Sequence, residues 1–274
     1  MKLKEIACLL LATLLAISLT SCDRSHPPTF IPEKAIESAF AHRPGCLVVI
    51  KCATAETYRY NPRLSAAKFP PCSTFKIWNT LIGSETGAIT AADAPFYTWD
   101  GVTRAMPEWN SNLTVRQAFQ VSCVPAFQAL ARKIGTVRMQ TWLDKLGYGN
   151  RDISSGIDAF WLPERGRKTL LITPDEQAAM LAKLVTGKLP CSEKSRAVLK
   201  EVMLVKKTDL GALYGKTGTG ADDTGTHNIC WFVGVVERQG EQYAFACLLL
   251  GDTSQTGRDT RALVQQLLET HQWL

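Results

Sequence analysis

The chain has 274 residues, of which 46% are hydrophobic and 20% are charged, the balance of a globular protein with a sizeable core. Its formal net charge is +6, but no run of five or more basic residues occurs, so we expect neither a nucleic-acid-binding arm nor a polybasic membrane patch. A mildly positive surface still favours anionic small molecules as partners.

The opening residues have the pattern of a secretory signal. Lys2 and Lys4 precede the apolar stretch IACLLLATLLAISL, which is too short for a comfortable membrane span. It ends in LTSC, residues 19–22, which resembles the lipobox of bacterial lipoproteins, where cleavage precedes a cysteine that is then lipidated. This pattern predicts a signal peptide over residues 1–21 and a periplasmic protein anchored through a lipid on Cys22. Ordinary cleavage near the same point is the alternative.

Cysteine and histidine placement indicates neither a disulfide framework nor a metal centre. Of nine cysteines, loss of Cys8 and lipidation of Cys22 would leave seven, so at least one thiol stays free or pairs between chains. Cys46 and Cys52 share a predicted strand and lie about 20 Å apart, beyond disulfide reach. We expect most cysteines to be buried as small hydrophobic side chains. The four histidines are scattered without ligand spacing, which predicts that no metal is bound.

The first elements after a polar linker are a helix and a hairpin. The stretch PEKAIESAFAHR has helical spacing, and Gly45 leads into the apolar run CLVVIKCA and then TYRYN. From Ser73 to about Leu204 the pattern is mainly helical. One helix start in this region is well formed, because Thr173 precedes Pro174 and acidic residues follow in the first turn.

The C-terminal part returns to strands and closes with a helix. Three strand-like runs, GALYGKTG, NICWFVGVVER and EQYAFACLLLG, precede the helical stretch RDTRALVQQLLETH. Strand-rich ends around a helical middle predict an α/β chain of α+β layers, with one antiparallel sheet built from both termini and flanked by helices. We expect a sheet-containing domain over 22–72 and 205–274 and an inserted, all-helical domain over 73–204.

A serine and a lysine lie three positions apart in FPPCSTFKIWN, residues 69–79. Pro70 and Pro71 impose an extended approach, so a helix can begin directly after them with Ser73 in its first turn. Ser73 and Lys76 would then share a face, and the helix start would offer N–H groups to a nearby oxyanion. This is a suitable geometry for an acyl-transfer nucleophile, although a serine at a helix start is more often a simple cap.

Three further motifs follow in order: SCV at 122–124, YGN at 148–150 and KTG at 216–218. With Ser-x-x-Lys they resemble the motif set of the serine β-lactamases and penicillin-binding proteins. Ser-x-Val in place of Ser-Asp-Asn, together with YGN and ISSGIDAFWL, resembles class D, the oxacillinase type. The likeness runs from about Ala35 to the C-terminus and implies the serine β-lactamase and penicillin-binding-protein fold, with hydrolysis of β-lactams, penicillins among them, through a serine acyl-enzyme.

The resemblance also implies a role for each motif residue. Ser73 would attack the lactam carbonyl, Ser122 would relay a proton to the leaving nitrogen, and Lys216 would bind the substrate carboxylate. The oxyanion hole would be the N–H groups of Ser73 and Thr219. Further substrate contacts would come from Thr217, Gly218 and Arg258, with neighbouring Arg261 as the alternative arginine. Thr219 departs from the bulkier residue common at that position, which leaves the substrate range open.

Lys76 is expected to be modified. The resemblance implies an N-carboxylated lysine that serves as general base, held by the Trp161 indole N–H in an apolar pocket of Phe75, Val124 and Leu162. Carbon dioxide or bicarbonate is therefore the expected co-reactant, with no other cofactor.

A penicillin sensor and a transpeptidase remain as alternative functions, whereas a class A β-lactamase is excluded. A penicillin sensor or a transpeptidase would share the nucleophile and would be acylated without turnover. A class A enzyme would need an asparagine shortly after its glutamate base, which Glu164 lacks. The expected partners are small β-lactams, with membrane contact through the lipid alone, and the chain is expected to be a monomer or a homodimer.

Overall fold

A computed structural model of the protein describes residues 31–222, 224–225 and 228–274. The predicted signal peptide and Cys22 lie outside these residues. The strands are β1 (Gly45–Lys51), β2 (Thr57–Tyr60), β3 (Pro95–Tyr97), β4 (Leu113–Thr114), β5 (Leu204–Lys207), β6 (Gly211–Ala221), β7 (Asn228–Arg238) and β8 (Glu241–Gly251). Six of them form one antiparallel sheet in the order β2-β1-β8-β7-β6-β5, and β3 pairs with β4 in a separate two-stranded sheet.

The helices pack on both faces of the six-stranded sheet. They are α1 (Glu33–Phe40), α2 (Pro62–Ser65), α3 (Lys76–Glu85), α4 (Val115–Gln120), α5 (Val124–Ile134), α6 (Thr136–Leu146), α7 (Pro174–Val185), α8 (Glu193–Met203) and α9 (Gly257–Thr270). Two 3₁₀ turns, Cys72–Phe75 and Pro107–Trp109, complete the described elements.

Strand β1 shows why both faces of the sheet are covered. Cys46 and Val48 point into a core shared with α3 and with α5 to α8, whereas Leu47 and Val49 point into a second core shared with α1 and α9. Successive side chains of a strand face opposite sides of the sheet, so a continuous apolar run is stable only between two layers. Cys72 and Phe75, on either side of Ser73 in the chain, belong to the larger core, so Ser73 lies on that side of the sheet.

The structure confirms the fold predicted from the sequence. The hairpin pairs Leu47 with Tyr60, and each of the three C-terminal apolar runs forms a long strand. Thr173 caps α7 by accepting a hydrogen bond from the N–H of Glu176, whose carboxylate accepts one from the N–H of Thr173. The helical middle also contains β3 and β4, which the pattern does not predict because both strands are too short to show a period of two. The division of the chain into two domains stays a prediction.

The cysteines behave as the sequence predicts. All seven described cysteines are unpaired and all but Cys191 are buried. Within residues 31–274, as far as they are described, no helix is long and apolar enough to cross a membrane. The same residues contain no group of three side chains suited to hold a metal ion.

Candidate active site

The turn that carries Ser73 is held from both sides. The Trp231 indole N–H, from the centre of β7, donates to the carbonyl of Pro70 at 2.9 Å. On the other side, Gln177 of α7 donates its side-chain amide to Thr74 Oγ1 at 2.8 Å. All these side chains are buried, so each lost bond would leave a polar group unpaired away from water. The serine is therefore fixed by contacts from two separate elements.

Close approach to β6 shapes the same turn. A Cβ on Gly218 would lie 3.1 Å from the carbonyl oxygen of Pro71, and one on Gly220 would lie 2.7 Å from Cys72 Sγ. Gly218 and Gly220 thus let the 3₁₀ turn pack directly on β6. Cys72 itself adopts a positive φ of 52°, which is uncommon for a residue with a side chain. Ser73 follows this strained residue and Lys76 begins α3, so the predicted helix start is a 3₁₀ turn that continues into an α-helix.

Lys76 is fully buried beside the serine. Its Nζ donates to Ser73 Oγ at 2.8 Å and lies 5.5 Å from the ring centroid of Phe127. Burial lowers the pKa of Lys76 to about 7, since the ammonium form loses its hydration, and the neighbouring thiols of Cys123 and Cys72 offset this in part. Near neutral pH much of this amine is therefore neutral and has a lone pair available for the serine proton.

A second buried lysine lies on β6. Lys216 is 4% exposed, and its Nζ donates to the carbonyl of Thr217 at 3.2 Å and faces the Phe119 ring. Burial is the main cause that lowers its pKa well below the usual value, and the positive charges of Lys76 and Arg261 lower it further. The two lysines thus repel each other's protons, and an anion between them would relieve this repulsion.

Ser122 occupies the turn between α4 and α5. Its φ is 55°, in the left-handed region, and its N–H donates to the carbonyl of Phe119 at 3.1 Å. The next N–H, of Cys123, donates to the carbonyl of Ala118 at 2.9 Å. Such a φ is uncommon for a residue with a side chain, and here it occurs at a motif residue beside the two buried lysines.

An aromatic cluster closes the site on the side of the larger core. Trp161 is fully buried and stacks on Phe75, with ring centroids 5.8 Å apart. Phe160 and Tyr148 also contact Phe75 edge to face. The Trp161 indole N–H has no hydrogen-bond partner among the described residues. A buried unpaired donor is costly, so this N–H is available to a polar group added to the site.

The arrangement suits acyl transfer: a fixed serine hydroxyl, a buried amine poised near neutrality and a cationic strand edge. The penicillin binding protein transpeptidase domain family matches residues 28–269. The chain is 40% identical to β-lactamase OXA-10 of Pseudomonas aeruginosa over 196 residues, 71% of this chain and 70% of that protein. The chain belongs to the class D β-lactamases. It is accordingly a serine hydrolase of β-lactams, as the motifs predict.

Solved class D β-lactamases share the fold. The structure of FUS-1 (OXA-85) from Fusobacterium nucleatum subsp. polymorphum superposes with a TM-score of 0.80 at 34% identity, covering 88% of this chain and 98% of that one. A further relative is regulatory protein BlaR1 of Bacillus licheniformis, 30% identical over 77% of this chain but only 34% of its own length.

The two candidate arginines differ in exposure and in their position relative to β6. Arg258 is exposed at the start of α9, two residues after the cap Thr256. Arg261 is half-buried and lines a cavity of about 260 Å³ together with Lys216 and Thr217. The structure therefore brings Arg261 beside the β6 motif, whereas the sequence favours Arg258.

The remaining predicted residues lie around the same strand and turn. Thr219 is exposed on β6, where its Oγ1 accepts the N–H of Gly257 at 2.8 Å. Val124 is the first residue of α5, and Leu162 is half-buried against the larger core.

Sequence reasoning missed two neighbours of this site and named a third only as an alternative. Phe127 and Phe119 place aromatic rings over the two buried amines. Arg261, the alternative arginine, lines the cavity beside Lys216, and it precedes the buried Val264 by three residues and Leu268 by seven on the same helix face. The two phenylalanines carry no comparable signal, since a core aromatic gives the same pattern.

The buried amine of Lys76 should make stability depend on pH. Its pKa is about 7 in the folded protein and 10.5 ordinarily, so between those values the unfolded chain binds more protons than the folded one. The unfolding free energy of the wild type should therefore rise with pH in this window, by up to about 1.4 kcal/mol per pH unit more than that of Lys76→Met. Urea unfolding at pH 7 to 10 in bicarbonate-free buffer measures the difference. Removal of an exposed lysine, Lys145→Met, is the control, and parallel curves for wild type and Lys76→Met would contradict the expectation.

Proposed function

We propose that this class D enzyme hydrolyses penicillins and related β-lactams through an acyl-enzyme on Ser73. The observation that carries the proposal is the hydrogen bond of 2.8 Å between Lys76 Nζ and Ser73 Oγ in a buried site. The Lys76 side chain, in its N-carboxylated form, would accept the hydroxyl proton as Oγ attacks the lactam carbonyl. The N–H groups of Ser73 and Thr219 would stabilise the oxyanion.

Ser122 is proposed to deliver a proton to the lactam nitrogen. Acylation breaks the carbon–nitrogen bond, and the departing nitrogen needs a proton to leave. The turn of Ser122 adjoins both lysines through its neighbours, since Phe127 of α5 faces Lys76 and Phe119 of α4 faces Lys216. From this turn the Ser122 hydroxyl would give its proton to the lactam nitrogen and regain one from a neighbouring basic group. Water then attacks the acyl carbonyl and releases Ser73.

Substrate recognition is proposed to rest on the cationic edge of β6. Penicillins carry a carboxylate next to the lactam ring, and such a group would offset the mutual repulsion of Lys216 and the nearby positive charges. Thr217 adds a hydroxyl at this edge, and Gly218, which has no side chain, lets the turn that carries Ser73 lie against it. We assign the bidentate carboxylate contact to Arg261, because its side chain lines the cavity beside Lys216.

N-carboxylation of Lys76 is proposed as the resting state. Carbon dioxide reacts with the neutral amine, and this form is well populated near neutral pH because burial lowers the pKa of Lys76 to about 7. Fully buried Phe75 and Trp161 keep water away from the group, and the unpaired indole N–H of Trp161 is a suitable donor to the carbamate. When bound, this carbamate supplies the general base for acylation and deacylation. Val124 and Leu162 complete the apolar surroundings.

A penicillin sensor or a transpeptidase remains the second candidate. The similarity to a regulatory protein, BlaR1, extends over 77% of this chain and favours a regulatory role among these alternatives. Both alternatives would use the same serine and lysine to form the acyl-enzyme. They differ from a β-lactamase in the second step, because the acyl group would stay on the protein.

Export and lipidation are proposed from the N-terminal sequence alone. Residues 1–21 would direct secretion, and Cys22 would carry a lipid that holds the enzyme on the periplasmic side of a membrane. Metabolic palmitate labelling that persists in Cys22→Ser would contradict this assignment.

Replacement of Ser73 tests the reaction directly. Ser73→Ala removes one hydroxyl from a turn fixed by other contacts, so the fold and reversible penicillin binding should persist while hydrolysis falls to background. Intact-mass spectrometry of the wild type with a slow penicillin should show one acyl adduct on the Ser73 peptide, followed by recovery of the free enzyme. An adduct elsewhere would refute the nucleophile. An adduct on Ser73 that is never released would instead support the sensor or transpeptidase.

Carboxylation of Lys76 should make activity depend on bicarbonate. In acidic, bicarbonate-free buffer the amine is protonated and activity should fall, then recover when bicarbonate is added. Trp161→Phe keeps an apolar ring but loses the indole donor, so it should weaken the ¹³C carbamate signal and slow deacylation more than acylation. Trp142→Phe, at a half-buried position on α6, is the matched control. An unchanged signal in Trp161→Phe would argue against the indole contact, and no signal in the wild type would refute the modification.

The arginine assignment can be tested by a matched pair on α9. Arg261→Ala should raise KM for penicillins about tenfold or more, since a bidentate contact to the carboxylate is lost. Arg258→Ala, one turn earlier on the exposed side, should change KM less than twofold. Steady-state kinetics with a penicillin and with its methyl ester measure this difference. The ester has no carboxylate, so its KM should be similar for the two variants. A larger effect at Arg258 would reverse the assignment.

A further inference from the structure

Residues 98–112 form a loop that is braced by its own polar side chains; we call it the brace loop. The Arg104 guanidinium donates two hydrogen bonds to the Asp100 carboxylate, at 2.8 and 2.6 Å. The Asn110 side chain accepts the N–H of Arg104 at 2.9 Å and donates to its carbonyl at 3.0 Å. Such reciprocal bonds define one loop conformation, so the loop can act as a rigid support.

One side chain of the brace loop reaches across to the turn of Ser122. Trp109, at the end of the 3₁₀ turn Pro107–Trp109, donates its indole N–H to the carbonyl of Val121 at 3.0 Å. Its ring is half-buried and packs against the larger core. The hydrogen bond thus ends on the residue directly before Ser122, at the point where the chain leaves α4.

The turn needs such support because of its backbone conformation. Ser122 has a φ of 55°, which is uncommon for a residue with a side chain, so contacts that hold this turn favour the conformation. Its own N–H and that of Cys123 are bonded back to α4, so these bonds set the exit from that helix. The Trp109 contact comes from outside the helix and fixes the peptide plane between Val121 and Ser122.

We propose that Trp109 is a positioning residue for Ser122: its indole hydrogen bond to Val121 holds the strained turn and thereby aims the Ser122 hydroxyl at the leaving nitrogen of the substrate. This inference rests on the role proposed for Ser122. Trp109 then acts in acylation, when the carbon–nitrogen bond breaks, and has no part in deacylation, when water attacks the ester of Ser73.

The chain provides a matched control in the same loop. Trp99 also donates its indole N–H to a backbone carbonyl, that of Val102 at 3.0 Å, but this bond stays within the loop and the ring is 37% exposed. Trp109→Phe and Trp99→Phe therefore remove the same donor group and keep an aromatic ring. Trp109→Phe should slow acylation by a penicillin about tenfold in single-turnover kinetics, while Trp99→Phe should leave it within about twofold. Deacylation rates should be unchanged in both variants.

A double-mutant cycle with Ser122→Ala separates positioning from general damage. Ser122→Ala alone should slow acylation, and adding Trp109→Phe to it should have no further effect, because the hydroxyl to be positioned is gone. If the Trp109→Phe loss is as large without the hydroxyl as with it, the inference is overturned while the role of Ser122 stands. If Ser122→Ala leaves acylation unchanged, both are overturned. Thermal unfolding checks the fold, and 3-benzothienylalanine at position 109 repeats the cycle if the phenylalanine variant does not fold.

Discussion

A lysine amine held away from water beside a serine hydroxyl is the constraint around which the site is built. Lys76 is fully buried, and an ammonium ion in that place is unfavourable unless a charge or a strong acceptor compensates it. The structure offers it a hydroxyl at 2.8 Å and the face of one aromatic ring. Burial lowers the pKa of Lys76 to about 7, and the nearby Cys123 and Cys72 offset only part of this effect. Reactivity here follows from the uncompensated burial of the amine, since a better-compensated lysine would stay protonated near neutral pH and would have no lone pair to accept a proton.

That constraint explains why the surroundings are rigid. Two residues with positive φ, Cys72 and Ser122, adjoin the reacting groups, and each is held by contacts from elements distant in sequence. The indole of Trp231 secures the segment before Ser73, and that of Trp109 reaches the turn of Ser122. Tryptophan suits this task, because one ring fills core volume and supplies a single directed donor. Strain at the site is therefore balanced by packing outside it.

The sequence predicts the features that depend on local interactions and does not predict those that depend on tertiary contacts. Long apolar runs and capping residues act locally, so β6 to β8 and the start of α7 can be read from the pattern. The Ser73 and Lys76 pair is likewise a matter of spacing within one turn. Arg261 and Trp109 depend on tertiary placement: the first on which side of α9 faces β6, the second on a contact across twelve residues. The strands β3 and β4 are stabilised by their neighbours and leave no period in the sequence.

The order of the strands also determines when the sheet can form. Strand β1 pairs with β8 along its whole length, from Gly45 with Leu249 to Lys51 with Tyr243, and β2 depends on β1 in turn. The first two strands therefore have no neighbour within the sheet other than each other until some 200 residues later have been synthesised. Loop closure over that distance has an entropic cost and makes folding a late event. A ribosome-bound chain would expose these apolar strands, so a chaperone has a long interval in which to bind them.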